Sequence, residues 1–261
     1  MTSRGKYILG AIAGDIMGSV YEGSGLKRYD IDLFTEKADF TDDTVLTIAT
    51  MDCLLKTEDY STMYRSYARK FPGRGYGCGF VNWLLKNNPK PYNSCGNGSA
   101  MRVSPIAWYF NTLEEVLGEA KRSAECTHNH PEGVYGAQAI AASVFLARNG
   151  CSKDKIKSYI SQNFGYDLNR HITDIRLNYT FDATCQHTVP EAIIAFLESK
   201  DFEDSIRLAI SLGGDSDTIA SMTGAIAEAY YSLIPKHIYN NVIDRLPLEM
   251  LDVIERFSSH E

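Results

Sequence analysis

Residues 213–231 read GGDSDTIASMTGAIAEAYY. Gly213-Gly214 let the backbone turn tightly. The acidic cluster Asp215-Ser216-Asp217-Thr218 follows, and the mostly apolar run from Thr218 to Tyr231 favours a helix. The same arrangement stands far upstream, where Thr41-Asp42-Asp43-Thr44 leads into TVLTIATMDCLLK, Thr44 to Lys56. Side chains at a helix N-terminus converge on the place where free backbone N–H groups already favour negative charge. Two such turns facing each other would gather four carboxylates and at least two hydroxyls. Carboxylates that close repel unless a cation lies among them, and hard oxygen donors suit Mg²⁺, Mn²⁺ or Ca²⁺. Helix capping is the plainer reading of either cluster alone. A cap needs one acceptor, however, and each cluster offers at least three.

The rest of the chain reads as helices. Tyr7 to Tyr21 (YILGAIAGDIMGSVY) carries Gly10, Gly14 and Gly18 four apart, a smooth ridge for close packing of another helix. Glycine costs about 1 kcal/mol per helical position relative to alanine, so three in register point to a packing purpose. The helix is apolar nearly all round and is expected to be central. Asp15 lies inside it and must meet a donor or water, since a buried lone carboxylate is expensive; support of a site from behind is its functional option. Glu22 ends this helix beside the flexible Gly23-Ser24-Gly25, where it is either a solvated carboxylate or a mobile catalytic group. Further helices are expected over 60–70, 80–86, 113–124, 132–148, 153–162 and 201–212, the last stopped by Gly213. Thr188-Val189-Pro190-Glu191 has the form of a capping box with Pro just inside, opening a helix to Glu198. Pro235 and Pro247 open two more. Residues 164–184 are the least regular, with a weak strand signal over 178–183. Convincing strands, repeats and linkers are missing, so the expected fold is all-α, one compact multi-helix domain over 1–261.

Composition narrows the function classes. The chain has 261 residues, 44% hydrophobic and 23% charged, enough for a full core, and a net charge of -7. That balance argues against a general nucleic-acid or anionic-membrane binder. Arg4 and Lys6 before Tyr7-Ile8-Leu9 imitate a signal peptide, but the apolar core is short and Asp15 follows at once. Nothing else approaches the ~20 apolar residues of a membrane span. The six cysteines form no C-x-x-C pair and read as reduced thiols of a cytoplasmic protein. Cys126-Thr127-His128-Asn129-His130 lacks a second ligand group at zinc-finger spacing.

Two glycine-rich stretches are loops rather than regular structure. One is Phe71 to Gly79. The other, Asn93 to Arg102 (NSCGNGSAMR), feeds an apolar segment. Its backbone N–H groups can cradle phosphate, with a plain turn as the alternative. It is not a Walker A loop, because no Gly-Lys-Ser/Thr follows.

Taken together, GAIAGDIMGSVYE (Gly10 to Glu22), FTDDT (Phe40 to Thr44), GNGSAMR (Gly96 to Arg102), Thr127-His128 and LGGDSDT (Leu212 to Thr218) resemble the ADP-ribosylglycohydrolases, in family order and across nearly the whole chain. The resemblance implies an all-α fold with two divalent cations, Mg²⁺ or Mn²⁺, and cleavage of the bond joining ADP-ribose to a protein side chain or other acceptor. It implies Thr41, Asp42, Asp43, Asp215, Asp217 and Thr218 as metal ligands. Glu22 is implied as the catalytic acidic residue, with Asp42 the other candidate base. Ser94, Cys95, Gly96, Asn97, Gly98, Ser99 and Met101 fall in the loop implied to hold the diphosphate and distal ribose. His128 falls at an implied adenine-side contact, and Cys95 stands where some members carry an aromatic residue. ADP-ribose and ADP-ribosylated protein are the implied partners, and a monomer is expected. Two other readings stay open from the residues: a metal-dependent phosphoester or diphosphate hydrolase, and a non-catalytic ADP-ribose binder.

Overall fold

The structure, a computed structural model, describes residues 8–259; Arg4, Lys6 and Tyr7, where the first helix is expected to begin, lie outside the described residues. Among the described residues there are fourteen α-helices and no sheet. They are α1 Gly10–Gly18, α2 Asp42–Lys56, α3 Tyr60–Lys70, α4 Cys78–Leu84, α5 Ser104–Tyr109, α6 Leu113–Glu125, α7 Pro131–Arg148, α8 Lys153–Phe164, α9 Ile172–Asn178, α10 Cys185–Glu198, α11 Phe202–Ile210, α12 Ser216–Tyr231, α13 Lys236–Ile243 and α14 Leu248–Ser258. The all-α expectation holds. No helix among the described residues is long and apolar enough to cross a membrane.

The centre of the fold is α12. It is buried from Ser216 to Ala229 and packs against α1, α7, α10 and α11. Its apolar side chains belong to one continuous core that all these helices share. The glycine ridge of α1 explains how close the central pair comes. A Cβ on Gly10 would lie 2.3 Å from the Gly224 carbonyl oxygen, one on Gly14 2.0 Å from the Ala220 oxygen, and one on Gly18 2.5 Å from Asp217 Cα. Residue numbers rise on α1 as they fall on α12, so the helices run antiparallel and the end of α1 meets the start of α12.

This contact yields a sharp test. Gly14→Ala is expected to destabilise the protein by about 3 kcal/mol or more, because the methyl meets backbone that no rotamer change can move. Gly118→Ala, on the exposed face of α6 with nothing within 4 Å of the new methyl, is expected to be neutral or slightly stabilising. Urea denaturation compares the two. Equal midpoints would show that α1 and α12 slide apart at little cost.

Three local expectations are corrected. The expected capping box at Thr188–Glu191 does not exist, because α10 begins earlier, at Cys185, with Thr184 as N-cap. Thr188 Oγ1 donates back to the Thr184 carbonyl (2.7 Å), and Pro190 sits inside the helix. Tertiary bonds extend the helix upstream: the Cys185 N–H donates to the Cys95 carbonyl (2.9 Å) and its thiol to the Gly96 carbonyl (3.1 Å). The weak strand over 178–183 is likewise not a strand. Residues 172–178 are helix α9, and the extended stretch after it makes a single antiparallel bridge, Gly96 with Thr184. Strand propensity is not realised here because the stretch meets only a loop, and a single bridge does not extend into a ladder. The fourth helix starts at Cys78 rather than at Phe80.

Candidate active site

The site is assembled at the C-terminal end of α1. Asp15 is fully buried there, and its carboxylate accepts from the Thr41 N–H (2.9 Å), the Thr41 hydroxyl (2.7 Å) and the Thr44 N–H (3.0 Å). It therefore caps the N-terminus of α2 from a different helix, satisfying donors that the helix itself leaves free. The glycine ridge brings the N-terminus of α12 to the same end. The two acidic turns thus meet, and Thr218 Oγ1 donates to Asp43 Oδ2 across the junction (3.0 Å).

The carboxylates gather in two overlapping groups. Asp15, Asp43 and Asp217 each offer an oxygen within 4.8 Å of the others, and so do Glu22, Asp215 and Asp217. No Lys or Arg pairs with any of them among the described residues. Arg74, whose carbonyl accepts from the Asp42 N–H (2.7 Å), pairs with Asp39 (2.6 Å) and stacks on the Phe40 ring. Burial raises every one of these acids, and repulsion from neighbouring carboxylates adds to it at Glu22, Asp42, Asp43 and Asp217. Asp43 and Asp217 lie well above the ordinary carboxylate range. Asp42 is pushed up to about 8 by burial and the neighbouring Asp15 charge. Asp15, Asp215 and Glu22 are also raised, Glu22 by burial, Asp215 and Asp15. Asp43 Oδ1 is buried and has no hydrogen-bond partner among the described residues. An all-oxygen, anionic donor set with an orphaned oxygen suits a hard divalent cation, whose charge would reverse the upward shifts.

The loop 93–102 opens on the same cleft. A 3-10 turn at Asn97–Ser99 bends it, and the Asn97 N–H donates to the Ala183 carbonyl (2.8 Å). Asn97 Nδ2 donates to Asp215 Oδ2 (2.7 Å), tying the loop to the acidic group. Glu22, Asp42, Asp43, Asp215, Asp217 and Thr218 line the cleft on the acidic side. Ser94, Gly96, Asn97, Gly98, Met101 and His128 line it on the loop side. Thr41, Cys95 and Ser99 are placed differently. The Thr41 hydroxyl turns to Asp15, the Cys95 carbonyl holds α10, and Ser99 is fully buried with its hydroxyl on the Gly133 carbonyl (2.7 Å).

The sequence model of the family described as ADP-ribosylglycohydrolase matches residues 5–260. The chain belongs to the ADP-ribosylglycohydrolase family. It is similar to the ADP-ribosylhydrolase ARH3 of Homo sapiens, 30% identical over an alignment of 308 positions, with 87% of this chain and 84% of that protein covered. The ADP-ribosylhydrolase ARH3 of Mus musculus is 28% identical, with 87% and 83% covered. The ADP-ribosylarginine hydrolase Tri1 of Pseudomonas putida is 25% identical over 285 residues, with 94% and 76% covered. A solved structure titled ADP-ribosylglycohydrolase-related protein complex has the same fold, with a TM-score of 0.75 at 24% identity over 97% of this chain and 95% of that one.

In this ADP-ribosylglycohydrolase chain the cleft also holds residues that sequence reasoning did not place. Tyr92 and Phe181 are aromatic, and Phe181 is 52% exposed, a large apolar ring left open at the rim. Arg102 is fully buried beneath the loop. Asp15, expected as a buried carboxylate needing donors, with support of the site as its functional option, stands among the clustered acids themselves. Arg102 closes the GNGSAMR motif and was visible in that sense, but a terminal Arg carries no sign of which way it points. Phe181 lies in the irregular stretch, where no periodicity assigns a face. Cys126 and His130 do not gather for zinc: His130 Nδ1 accepts from the Glu132 N–H at the start of α7 (3.2 Å), and the Cys126 thiol donates to the Ser123 carbonyl (3.2 Å).

Proposed function

We propose that this protein is a divalent-metal-dependent hydrolase that cleaves the glycosidic bond between ADP-ribose and a modified side chain or other acceptor, releasing ADP-ribose. The observation that carries this reading is the meeting of two acidic helix N-termini with the glycine loop on one cleft, joined by the Asn97–Asp215 hydrogen bond. Similarity to the ARH3 and Tri1 hydrolases supports it.

Thr41, Asp42, Asp43, Asp215, Asp217 and Thr218 are the residues assigned to hold two cations, with Asp15 fixing the α2 turn behind them. When bound, Mg²⁺ or Mn²⁺ supplies positive charge that orients the ribose hydroxyls and acidifies water. The remaining work falls to the chain. Glu22 reaches the cleft beside Asp215 and Asp217 and takes the proton of the attacking water. The bond broken is the one at C1″ of the distal ribose, whose transition state resembles an oxocarbenium ion, and the surrounding carboxylates favour that developing positive charge. The backbone N–H groups of the Ser94–Met101 loop other than those of Gly96, Asn97, Ala100 and Met101, which bond within the protein, hold the diphosphate. Tyr92 and Phe181 offer aromatic faces to the adenine, in place of the stacking that Cys95 cannot supply.

The deciding experiment is a panel of defined substrates (serine-linked, arginine-linked and O-acetyl-ADP-ribose) assayed with Mg²⁺ and with Mn²⁺. Release of free ADP-ribose is expected; AMP as the product would replace this reading with a diphosphate hydrolase.

Metal binding has its own thermodynamic signature. In the folded metal-free protein the clustered acids are held at raised pKa, so between about pH 4 and pH 8 they bind more protons than in the unfolded chain. Their contribution to stability therefore falls as pH rises through that window. A cation at 100 times its Kd adds about 2.7 kcal/mol, or roughly 5–10 °C in Tm for a chain this size. The gain is expected to be larger at pH 8 than at pH 5, where protons compete. Thermal melts with and without Mg²⁺ or Mn²⁺ check this, and no shift with either ion at pH 8 would count against the metal centre.

A further inference from the structure

Arg102 is fully buried, lines the cleft, and faces no carboxylate among the described residues. Its guanidinium lies 3.8 Å from the centre of the Tyr64 ring. Nη2 donates to the Ser123 carbonyl (3.2 Å) and to Thr127 Oγ1 (2.9 Å), whereas Nε and Nη1 have no partner among the described residues. A buried charge without a counter-ion is costly, and the six clustered acids leave this one unneutralised.

Thr127 passes the effect on. Its Oγ1 lies 2.7 Å from His128 Nδ1. A guanidinium can only donate, so the Thr127 oxygen is the acceptor of the Arg102 bond and its hydrogen is free for Nδ1. Nδ1 is then an acceptor, and the ring hydrogen sits on Nε2. The reverse arrangement, Nδ1–H donating to Thr127, would leave the Thr127 hydrogen only the Cys126 sulfur, 4.0 Å away. Nε2 faces the loop: a Cβ on Gly98 would lie 3.2 Å from it, and one on Gly96 3.6 Å. Tyr92 covers the ring at 5.9 Å between centroids. Burial and the Arg102 charge hold the imidazole well below its ordinary pKa, so it is neutral.

We propose that Arg102 and Thr127 are positioning residues: they hold His128 as a neutral Nε2–H donor and set a fixed positive charge behind it, so that this end of the cleft selects the anionic diphosphate of the ligand. This rests on the reading of the ligand as ADP-ribose. The fixed charge is what favours phosphate oxygen over a neutral ring nitrogen as the acceptor, because in a low-dielectric site an uncompensated guanidinium gains most from an anion.

The test has two arms. In the first, the ligand-free protein with ¹⁵N-labelled histidine is examined by two-bond ¹H–¹⁵N correlation, His128 being assigned by its loss in His128→Gln. The expected pattern is a protonated Nε2 and a bare Nδ1, degraded in Thr127→Val and restored in Thr127→Ser. In the second, ADP-ribose and adenosine are titrated against each variant. ADP-ribose affinity is expected to fall about tenfold or more in Thr127→Val and in Arg102→Met, with adenosine affinity changed less than about twofold, and Thr127→Ser close to wild type. An Nδ1–H tautomer in the wild type overturns the proposal, as do equal losses for both ligands, which a merely structural role would give. If the wild type binds no ADP-ribose, the functional reading fails while the tautomer spectrum still decides the relay.

Discussion

Turnover in Asp215→Asn and in Asp42→Asn is expected to fall by about 10³-fold or more, the several kcal/mol that a cation-centred site contributes. Asp215 is 5% exposed, and its Oδ2 accepts from Asn97 Nδ2. An amide of the same size can still accept that bond, so the loop stays tied to α12 and the helical fold is kept. What is lost is the negative charge. Asp42 sits in the first turn of α2, its Oδ1 facing the space that Gly75 leaves by lacking a Cβ (3.3 Å). Asparagine fits there too. Because the carboxylates are crowded and raised in the metal-free protein, either amide relieves repulsion. Each variant is therefore expected to melt at or above the wild-type temperature without metal, yet to lose much of the Mg²⁺- or Mn²⁺-induced rise. Activity assays at limiting metal alongside thermal melts check both halves. Near-normal turnover with an undiminished metal shift would remove the two-cation site as drawn.

Glu22→Gln is expected to lower kcat by about 10²-fold or more, the usual loss on removing a positioned base, with ADP-ribose affinity changed far less. Glu22 follows the 3-10 turn Ser19–Tyr21 and leaves the helix in an extended conformation (ψ 127°). The next residue, Gly23, donates its N–H to the Gly214 carbonyl (3.2 Å), anchoring the turn to the one that carries Asp215. Gly23 and Gly25 have φ of +63° and +68°, which glycine adopts without strain. The Glu22 side chain is exposed to the cleft, and burial with the charges of Asp215 and Asp15 raises its carboxyl toward the range where a base is effective. A base works deprotonated, so kcat falls on the acid side of this pKa. The variant is expected to lose that acidic limb from the pH–rate profile. An unaltered kcat would pass the base role to Asp42.

Much of the helical framework was legible locally. Amide-capping side chains at Thr41, Asp59, Ser152 and Asp201 stand at helix starts, and Thr57, Gly165 and Ser232 close helices in the left-handed region. These signals work because they act over one turn of chain. α10 shows the limit. Its local sequence reads as a start at Thr188, but hydrogen bonds from Cys185 to residues 95 and 96, some ninety positions away, extend it upstream. α9 was not legible for the same kind of reason: its buried residues Ile172 and Ile175 are too few to show a helical period.

The sequence by itself determined that the chain is all-helical, that α1 must pack tightly through Gly10, Gly14 and Gly18, and that two acidic turns open helices. Those features are set by propensity, capping and the missing Cβ, none of which needs a distant partner. Only the tertiary structure decided that Asp15 reaches across to cap α2, that Asn97 ties the loop to Asp215, and that Arg102 lies buried behind His128 with no counter-ion. Each of these joins residues 25 to 118 positions apart. The first two exist because the antiparallel packing of α1 on α12 brings helix ends together, and the third because the ends of α5 and α6 meet, geometries that local side-chain preferences do not encode.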